Sequence, residues 1–309
     1  MSVHFEKRHA NAGVSVIIPS RDGIRGGNVA RLLRQIEEQK LADSYELLLV
    51  IGEHPNGHAR NVGAGAARGS ILVFIDDDAV LRGPHVLGQL VECVRIPEVG
   101  MAGASTLVPE RSNRLQRWLA RELPTARYPI VETATDTRDG ATHLCCAFRR
   151  AVWDQLGGEN DLLLSGTDVD MRERVRRAGY RVVLAPGCAA FHPLPETLGS
   201  YLRSQYNYGL GAEVFLHECP HFGRAKDLSS AWAATWYLLL HMGWAGLGIF
   251  LGRSARGRYR LHLHPLQAMG SVAYSLGYRA GFHRYISSGL YAQAQARVRS
   301  QGWGWDSSS

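Results

Sequence analysis

Cysteine is scarce in this chain and follows no pattern. The five residues Cys93, Cys145, Cys146, Cys188 and Cys219 form no CxxC pair and no ladder of spacings. Adjacent Cys145 and Cys146 are poor partners for one another. The thiols therefore read as reduced, buried small hydrophobes of a cytosolic protein, which excludes a disulfide-stapled scaffold. The opening "MSVHFEKRHANAG" lacks an apolar core, so no secretory signal is expected. Internal repeats are also missing, and low complexity is confined to the terminal "SSS". With 45% hydrophobic and 20% charged residues among 309, the composition is that of a globular protein. The length fits one large α/β domain with an appendage, or two modest domains.

A net charge of +7 suits nucleic acid, an anionic membrane or a phosphorylated substrate. The arginines cluster in Met171–Arg181 and after an apolar run, not along an aromatic-interleaved groove. No nucleic-acid partner is expected.

What the chain does contain is a series of strand and helix patterns. "VSVIIP" (14–19) is a β-branched run closed by proline and the loop "SRDG". "NVARLLRQIEEQ" (28–39) places Val29, Leu32, Leu33 and Ile36 on one helical face, with Asn28 as cap. "YELLLVIGE" and "SILVFI" are further buried strands, and "NGHARNVGAGAARG" between them reads as a loop entering a small-residue helix. Alternating strands and helices with continuous apolar strands predict a parallel sheet covered on both faces. Ligands of such sheets bind beyond the carboxyl ends of strands. Next come a helix in "GPHVLGQLVECV", a strand in "EVGMAGAS" and a strand and helix in "HLCCAFRRAVWDQLGG". "TDVDMRERVRRAGYRVVLAP" predicts a helix, a stop at Gly179 and a strand. Thr106 to Asp139, with its basic piece "RSNRLQRWLARE", reads as an insertion or acceptor-side lobe.

"SILVFI" runs directly into Asp76, Asp77 and Asp78. Adjacent carboxylates repel unless solvent or a cation relieves them. Alternate residues of an extended segment share a face, so Asp76 and Asp78 are expected to address one site while Asp77 turns aside. Hard divalent cations take such carboxylates together with substrate phosphates; the bland reading is a solvated acidic turn. Asp168 and Asp170 open a basic helix, where carboxylates complement the dipole. Asp168 can instead be a general base toward an acceptor hydroxyl. His192 offers a neutral nitrogen to a metal, against a purely structural reading.

Taken in order, "VSVIIPSRDG", "ARNVGAGAARGSILVFIDDDAVL", "FRRAVWDQLGG", "GTDVDMRERVRRAGYRVV" and "AFHP" resemble the family 2 glycosyltransferases of the GT-A fold. The resemblance spans roughly Gly13 to His192. It implies an α/β, Rossmann-like, mainly parallel sheet with helices on both faces. It also implies inverting transfer from a nucleotide-diphosphate sugar with Mg²⁺ or Mn²⁺ as cofactor. Asp78 matches the direct metal ligand, with Asp76 nearer the donor's ribose and also a ligand, and Asp77 is grouped among the donor contacts. His192 matches a histidine closing the metal or diphosphate site, and Asp168 the catalytic base. Pro19, Ser20 and Asp22 match the loop that touches the nucleotide, and Arg60 and Asn61 the segment beside the diphosphate. Two positions depart from the family pattern. Ile51 and Gly52 stand where an acid usually holds the base, leaving Glu53 as substitute, and Thr167 replaces the first acid of the "ED" pair.

Ala231–Gly252 contains no Asp, Glu, Lys or Arg and is long enough to span a bilayer; Arg253, Arg256, Arg258 and Arg260 follow. A single span would put those arginines outside, against the positive-inside tendency. So would a hairpin with the weaker stretch Leu266–Phe282. An interfacial or re-entrant arrangement of 231–264 on the cytoplasmic face of the cell membrane is expected instead, with a buried core helix as the alternative. "HPLPETLGSYLRSQYNYGLGAEVF" also resembles membrane-associated members of the family. Tyr201, Tyr206 and Tyr208 read as an interface or sugar platform, or as ordinary packing.

The expected layout is a tail over 1–12, a GT-A domain over 13–222, a helical membrane-associated segment over 223–300 and a disordered tail over 301–309. The expected acceptor is a lipid-linked or cell-surface glycan, as in polysaccharide biosynthesis. A polyprenyl-phosphate sugar synthase is the enzymatic alternative. A catalytically silent membrane scaffold and a basic nucleic-acid binder are the alternatives of another class. A sugar nucleotidyltransferase would need a basic glycine-rich triphosphate loop, which "PSRDGIRGG" echoes only faintly.

Overall fold

The computed structural model of the chain describes residues 2–123, 128–253, 259–261 and 264–300, without the side chains of 251–253, 259–261, 299 and 300. Arg256, Arg258 and the tail expected over 301–309 lie outside the described residues, as do the side chains of Arg253 and Arg260. The chain divides into two units. The first is Met1–Pro109, Arg127–Asp161 and Thr167–Pro193; the second is Glu110–Ala126, Leu162–Gly166 and Leu194–Ser309.

The first unit is built on a nine-stranded sheet. Its strands are β1 (Val3–Lys7), β2 (Val14–Ser20), β3 (Tyr45–Ile51), β4 (Ile71–Ile75), β5 (Val80–Leu81), β6 (Val99–Leu107), β7 (Thr135–Asp136), β8 (Cys145–Arg149) and β9 (Arg181–Phe191). The spatial order is β1-β3-β2-β4-β8-β6-β9-β5, with β7 beside β9. β3, β2 and β4 are mutually parallel, as are β6 and β9. β8 runs antiparallel to both β4 and β6. Among the described residues, no helix of this unit lies between β6 and β8 to carry the chain back across the sheet, so β8 starts where β6 ended.

Two-residue periodicity divides each strand between two cores. Val16 and Ile18 of β2, Leu47 and Leu49 of β3, and Val73 and Ile75 of β4 enter one. Ile17, Leu48, Val50, Leu72 and Phe74 enter the other. Both faces are covered, which is why these strands read as unbroken apolar runs. The first core is closed by α1 (Asn28–Glu37) and α3 (Val86–Val94), through Leu32, Ile36, Leu87 and Leu90. The second is closed by α2 (Asn56–Ala66), α5 (Arg150–Gln155) and α6 (Thr167–Arg177), through Ala59, Ala64, Trp153, Met171 and Val175. There Trp153 packs 4.6 Å from Phe74 and 5.3 Å from Phe148 between ring centroids. Truncating such a ring to alanine costs about 3–5 kcal/mol.

Two local expectations change. The stretch expected to be a tail supplies β1, which pairs antiparallel with β3, Val3 opposite Val50 and Phe5 opposite Leu48. Asn28 does not cap α1; its amide donates to the carbonyls of Asp77 and Ala79, at 2.5 and 3.2 Å. Gly27, at φ 90°, occupies the cap position instead.

The second unit is helical, with α4 (Arg114–Glu122), α7 (Leu198–Glu218), α8 (Ala231–Gly248), α9 (Pro265–Gly281) and α10 (Leu290–Ser300). It begins well before the expected boundary at 222/223 and takes in the basic piece of the expected insertion. Reciprocal capping boxes, Asn113 with Gln116 and Thr197 with Ser200, start α4 and α7. α7 and α9 approach closely because glycine lines their seam. A Cβ at Gly277 would collide with the Tyr206 carbonyl, and one at Gly209 with that of Tyr274. Tyr201 is buried, and its hydroxyl donates to the Leu266 carbonyl at 3.0 Å, so it packs and offers no sugar platform. α8 buries Ala234, Tyr237 and Ala245, while Trp232, Trp236, Leu239, Leu240 and Trp244 are exposed. Among the described residues, no helix is long and apolar enough to cross a membrane.

Candidate active site

The site forms where β2, β3 and β4 end. Asp76, Asp77 and Asp78 do not continue β4 in extended form. They make a turn closed by the Ala79 N–H donating to the Asp76 carbonyl at 3.0 Å. The turn changes the expected alternation. Asp76 Oδ1 accepts from Arg60 Nη2 at 2.7 Å, whereas Asp77 and Asp78 share Arg25. Arg25 Nη2 lies 2.9 Å from Asp78 Oδ2, and its Nε 3.5 Å from Asp77 Oδ1. Asp77 Oδ2 also accepts from the Ser20 hydroxyl at 2.7 Å. Burial and the charges of Asp78 and Asp76 still push the Asp77 carboxyl above its ordinary value, against Ser20 and Arg25. Carboxylate repulsion is thus relieved by two guanidiniums from α2 and the loop before α1.

Arg60 is the buried hub of the site. It is 2% exposed, and its Nε and Nη1 have no hydrogen-bond partner among the described residues. Its charge also acts on Asp168 and Glu159. Asp168, in the first turn of α6, accepts from Arg172 Nη1 at 2.9 Å and keeps 29% of its side chain exposed. Burial pushes its carboxyl upward, but Arg172, His143 and Arg60 prevail and hold it below the ordinary carboxylate value. Asp170 faces inward, bonded to Arg174 at 2.7 Å; Arg174 in turn donates to the carbonyls of Leu156 and Gly158. Asp170 is therefore a brace fastening α6.

Other expected donor contacts have other tasks. Asn61 is buried, donating to the Glu159 carbonyl and Asp161 Oδ1 at 2.8 and 2.6 Å and accepting from the Glu159 N–H at 2.8 Å. It ties α2 to the segment after α5. Gly158, at φ 72°, must be glycine there, because a Cβ would stand 2.5 Å from Asn61 Oδ1. Asp22 Oδ1 accepts the N–H groups of Ile24 and Arg25, which lower its pKa. Asp22 braces the loop that carries Arg25. Pro19 is buried within β2, and Ser20 also accepts the Gly23 N–H. Glu53 stands just past β3, its Oε2 3.5 Å from His58 Nε2, and His58 Nδ1 meets Asp161 at 2.8 Å.

Three site residues escaped the motif reading. Arg25 is one. The others are His143 and Glu159, buried and 2.7 Å apart, with His143 Nδ1 3.4 Å from the Thr167 hydroxyl beside Asp168. Burial would raise the Glu159 carboxyl, but His143, Arg60 and Arg174 hold it low. The available signal was an acid directly after Gly157–Gly158 in an apolar context, "LGGENDLLL".

His192 Nε2 lies 3.9 Å from Asp78 Oδ1. Among the described residues, no group of three or more His, Cys, Asp or Glu is arranged to hold a metal. Asp76 is engaged by Arg60. What remains, Asp78 with His192, fits a divalent cation that draws its other ligands from substrate phosphates and water. All five cysteines are buried and free.

A profile of the family described as "Glycosyltransferase like family 2" matches residues 3–206. The chain belongs to that family. The α/β sheet with helices on both faces agrees with what the motif order implied; β3, β2 and β4 are parallel as expected, whereas β1, β5, β7 and β8 pair antiparallel. Similar curated proteins include the O-antigen biosynthesis protein RfbC of Myxococcus xanthus, 27% identical over 162 residues, covering 47% of this chain and 13% of that protein. An N-acetylglucosaminyltransferase of Rhizobium leguminosarum bv. viciae is 27% identical over 153 residues, covering 45% of this chain and 35% of that one. This family 2 chain therefore aligns with well under half of either relative. A solved mannosyltransferase from Pyrobaculum calidifontis, in complex with GDP-Man and Mn²⁺, superposes with a TM-score of 0.49 at 15% identity. That superposition covers 97% of this chain and 85% of that one.

Proposed function

We propose that the chain transfers a hexose from a nucleotide-diphosphate sugar to a hydroxyl of a lipid-linked or cell-surface glycan, with inversion and with a divalent cation as helper. One observation carries the reading: Arg60 bonds Asp76 while its charge acts on Asp168, so both acidic sites converge on a single guanidinium. Asp168 is ionised at neutral pH and partly exposed, so it can accept the proton of an acceptor hydroxyl as that oxygen attacks the anomeric carbon. A single displacement of this kind inverts the centre. Asp78 and His192 would hold Mg²⁺ or Mn²⁺, which when bound neutralises charge on the leaving diphosphate. The glycan acceptor is supported by the similarity to an O-antigen biosynthesis protein and to an N-acetylglucosaminyltransferase.

We also place the chain on the cytoplasmic face of a membrane. Support comes from the exposed tryptophans and leucines of α8, opposite its packed face, and from the four arginines that follow in sequence. Aromatic rings and cationic side chains of this kind suit an anionic interface.

The test is thermal stability of the purified chain with a panel of UDP-, GDP- and dTDP-sugars, with and without Mn²⁺. A bound ligand raises the melting temperature by mass action. Metal-dependent stabilisation by one donor, lost in Asp78→Ala, supports the reading. No stabilisation by any donor, together with no sugar release, rejects it. Cosedimentation with phosphatidylglycerol-containing vesicles, weakened by Trp232→Ser with Trp236→Ser, checks the membrane placement; full-strength binding by that variant rejects it.

A further inference from the structure

The loop before α1 has an unusual backbone. Gly23, Arg25, Gly26 and Gly27 all have positive φ, at 71, 45, 60 and 90°. Glycine adopts this conformation freely, but a residue with a Cβ does not. Among the described residues, Arg25 is the one non-glycine that does so. The Asp22 carboxylate, accepting the Ile24 and Arg25 N–H groups at 2.9 and 2.8 Å, holds it there. The outcome is a guanidinium on Asp77 and Asp78 whose side chain remains 53% exposed. A Cβ at Gly26 or Gly27 would meet nothing within 4 Å, so nothing packs the loop down at those points.

We propose that Arg25 is an exchangeable counter-ion. It holds Asp78 while cation and donor are away. When they bind, it yields Asp78 to the cation and passes to the donor's diphosphate. The inference rests on the metal-assisted reading above and names a residue that reading did not use.

The charges explain the exchange. Three carboxylates against Arg25 and Arg60 leave one net negative charge (−3 + 2 = −1) on the turn. A divalent cation would make that +1 with both arginines in place, and it competes with Arg25 for the Asp78 carboxylate. Arg60 cannot leave, because it is buried. Arg25 can, because its side chain is half in solvent on a glycine-flanked loop. A diphosphate supplies the paired acceptor oxygens that a guanidinium fork binds best. The arginine therefore weakens cation binding in the donor-free protein and strengthens nucleotide binding once the cation is present.

Those opposite signs make the test. Mn²⁺ binding to the purified full chain without nucleotide is followed by electron paramagnetic resonance of the free ion. UDP and GDP are then titrated calorimetrically at saturating Mn²⁺. Arg25→Ala is expected to bind Mn²⁺ roughly two- to fivefold tighter than wild type, the worth of an exposed ion pair. Its nucleoside diphosphate affinity is expected to fall roughly tenfold or more, the worth of a charged hydrogen bond. Arg25→Lys, which keeps the charge without the fork, restores wild-type Mn²⁺ affinity but only part of the nucleotide affinity. Mn²⁺ bound equally by wild type and Arg25→Ala overturns the inference alone, as does unchanged nucleotide affinity. Mn²⁺ bound by neither protein overturns the inference and the metal-assisted reading together.

Discussion

Glu213 on α7 has its side chain fully buried, 3.9 Å from His217 Nε2. Burial pushes its carboxyl from 4.5 up to about 7, and the Tyr278 hydroxyl and Lys226 ammonium offset this only in part. Below pH 4.5 the group is protonated in both folded and unfolded chains, so burial of a charge costs nothing. Between 4.5 and about 7 the folded chain holds a proton that the unfolded chain has lost, and stability falls as pH rises. Above that window both states are ionised and the full penalty is present. At about 1.4 kcal/mol per pH unit, the gap amounts to about 3 kcal/mol. Glu213→Gln keeps the shape and cannot ionise. It is expected to match wild type at pH 4.5 and to exceed it by up to about 3 kcal/mol at pH 8, or roughly 6–12 °C in melting temperature. Thermal unfolding followed by far-UV circular dichroism across that range measures the difference. A difference that stays flat with pH, or grows toward acid, refutes the reasoning.

Asp168→Asn should lower kcat by roughly 10²–10⁴ while leaving donor KM near wild type, the mark of a lost proton acceptor. In wild type the acid limb of the pH–rate profile should fall below the ordinary carboxylate value, because Asp168 is held low despite burial by Arg172, His143 and Arg60. Glu159→Leu strands His143 and Arg60 and should cost about 3–5 kcal/mol in urea unfolding; adding His143→Phe should return most of that loss. Gly158→Ala combines φ 72° with a Cβ 2.5 Å from Asn61 Oδ1, and should cost about 1–3 kcal/mol by the same measurement.

The central strands were legible because a strand buried on both faces has no polar residue to break its apolar run. β2, β3 and β4 lie within a residue or two of their sequence patterns. α6 was legible from Asp168 to Gly179 because its acids, basic turn and glycine stop are all local signals. The carboxylates at the end of β4 stood out for the same reason, as like charges where a core strand stops.

The partners of those carboxylates were not legible. Asp78 meets Arg25 across 53 positions and Asn61 meets Glu159 across 98, and no periodicity carries such distances. Nor did the motif reading show that Asp76 to Asp78 would bend into a turn, sending one acid to Arg60 and two to Arg25. β1 was hidden too, since half-exposed "VHFEK" becomes a strand only when the open edge of β3 is there to pair with it. By itself the sequence determined which segments are buried and which acids stand at strand and helix ends, because burial and capping act over a few neighbouring residues. Which cation meets which acid was decided only by the tertiary structure, because an ion pair depends on where two separate loops are brought together.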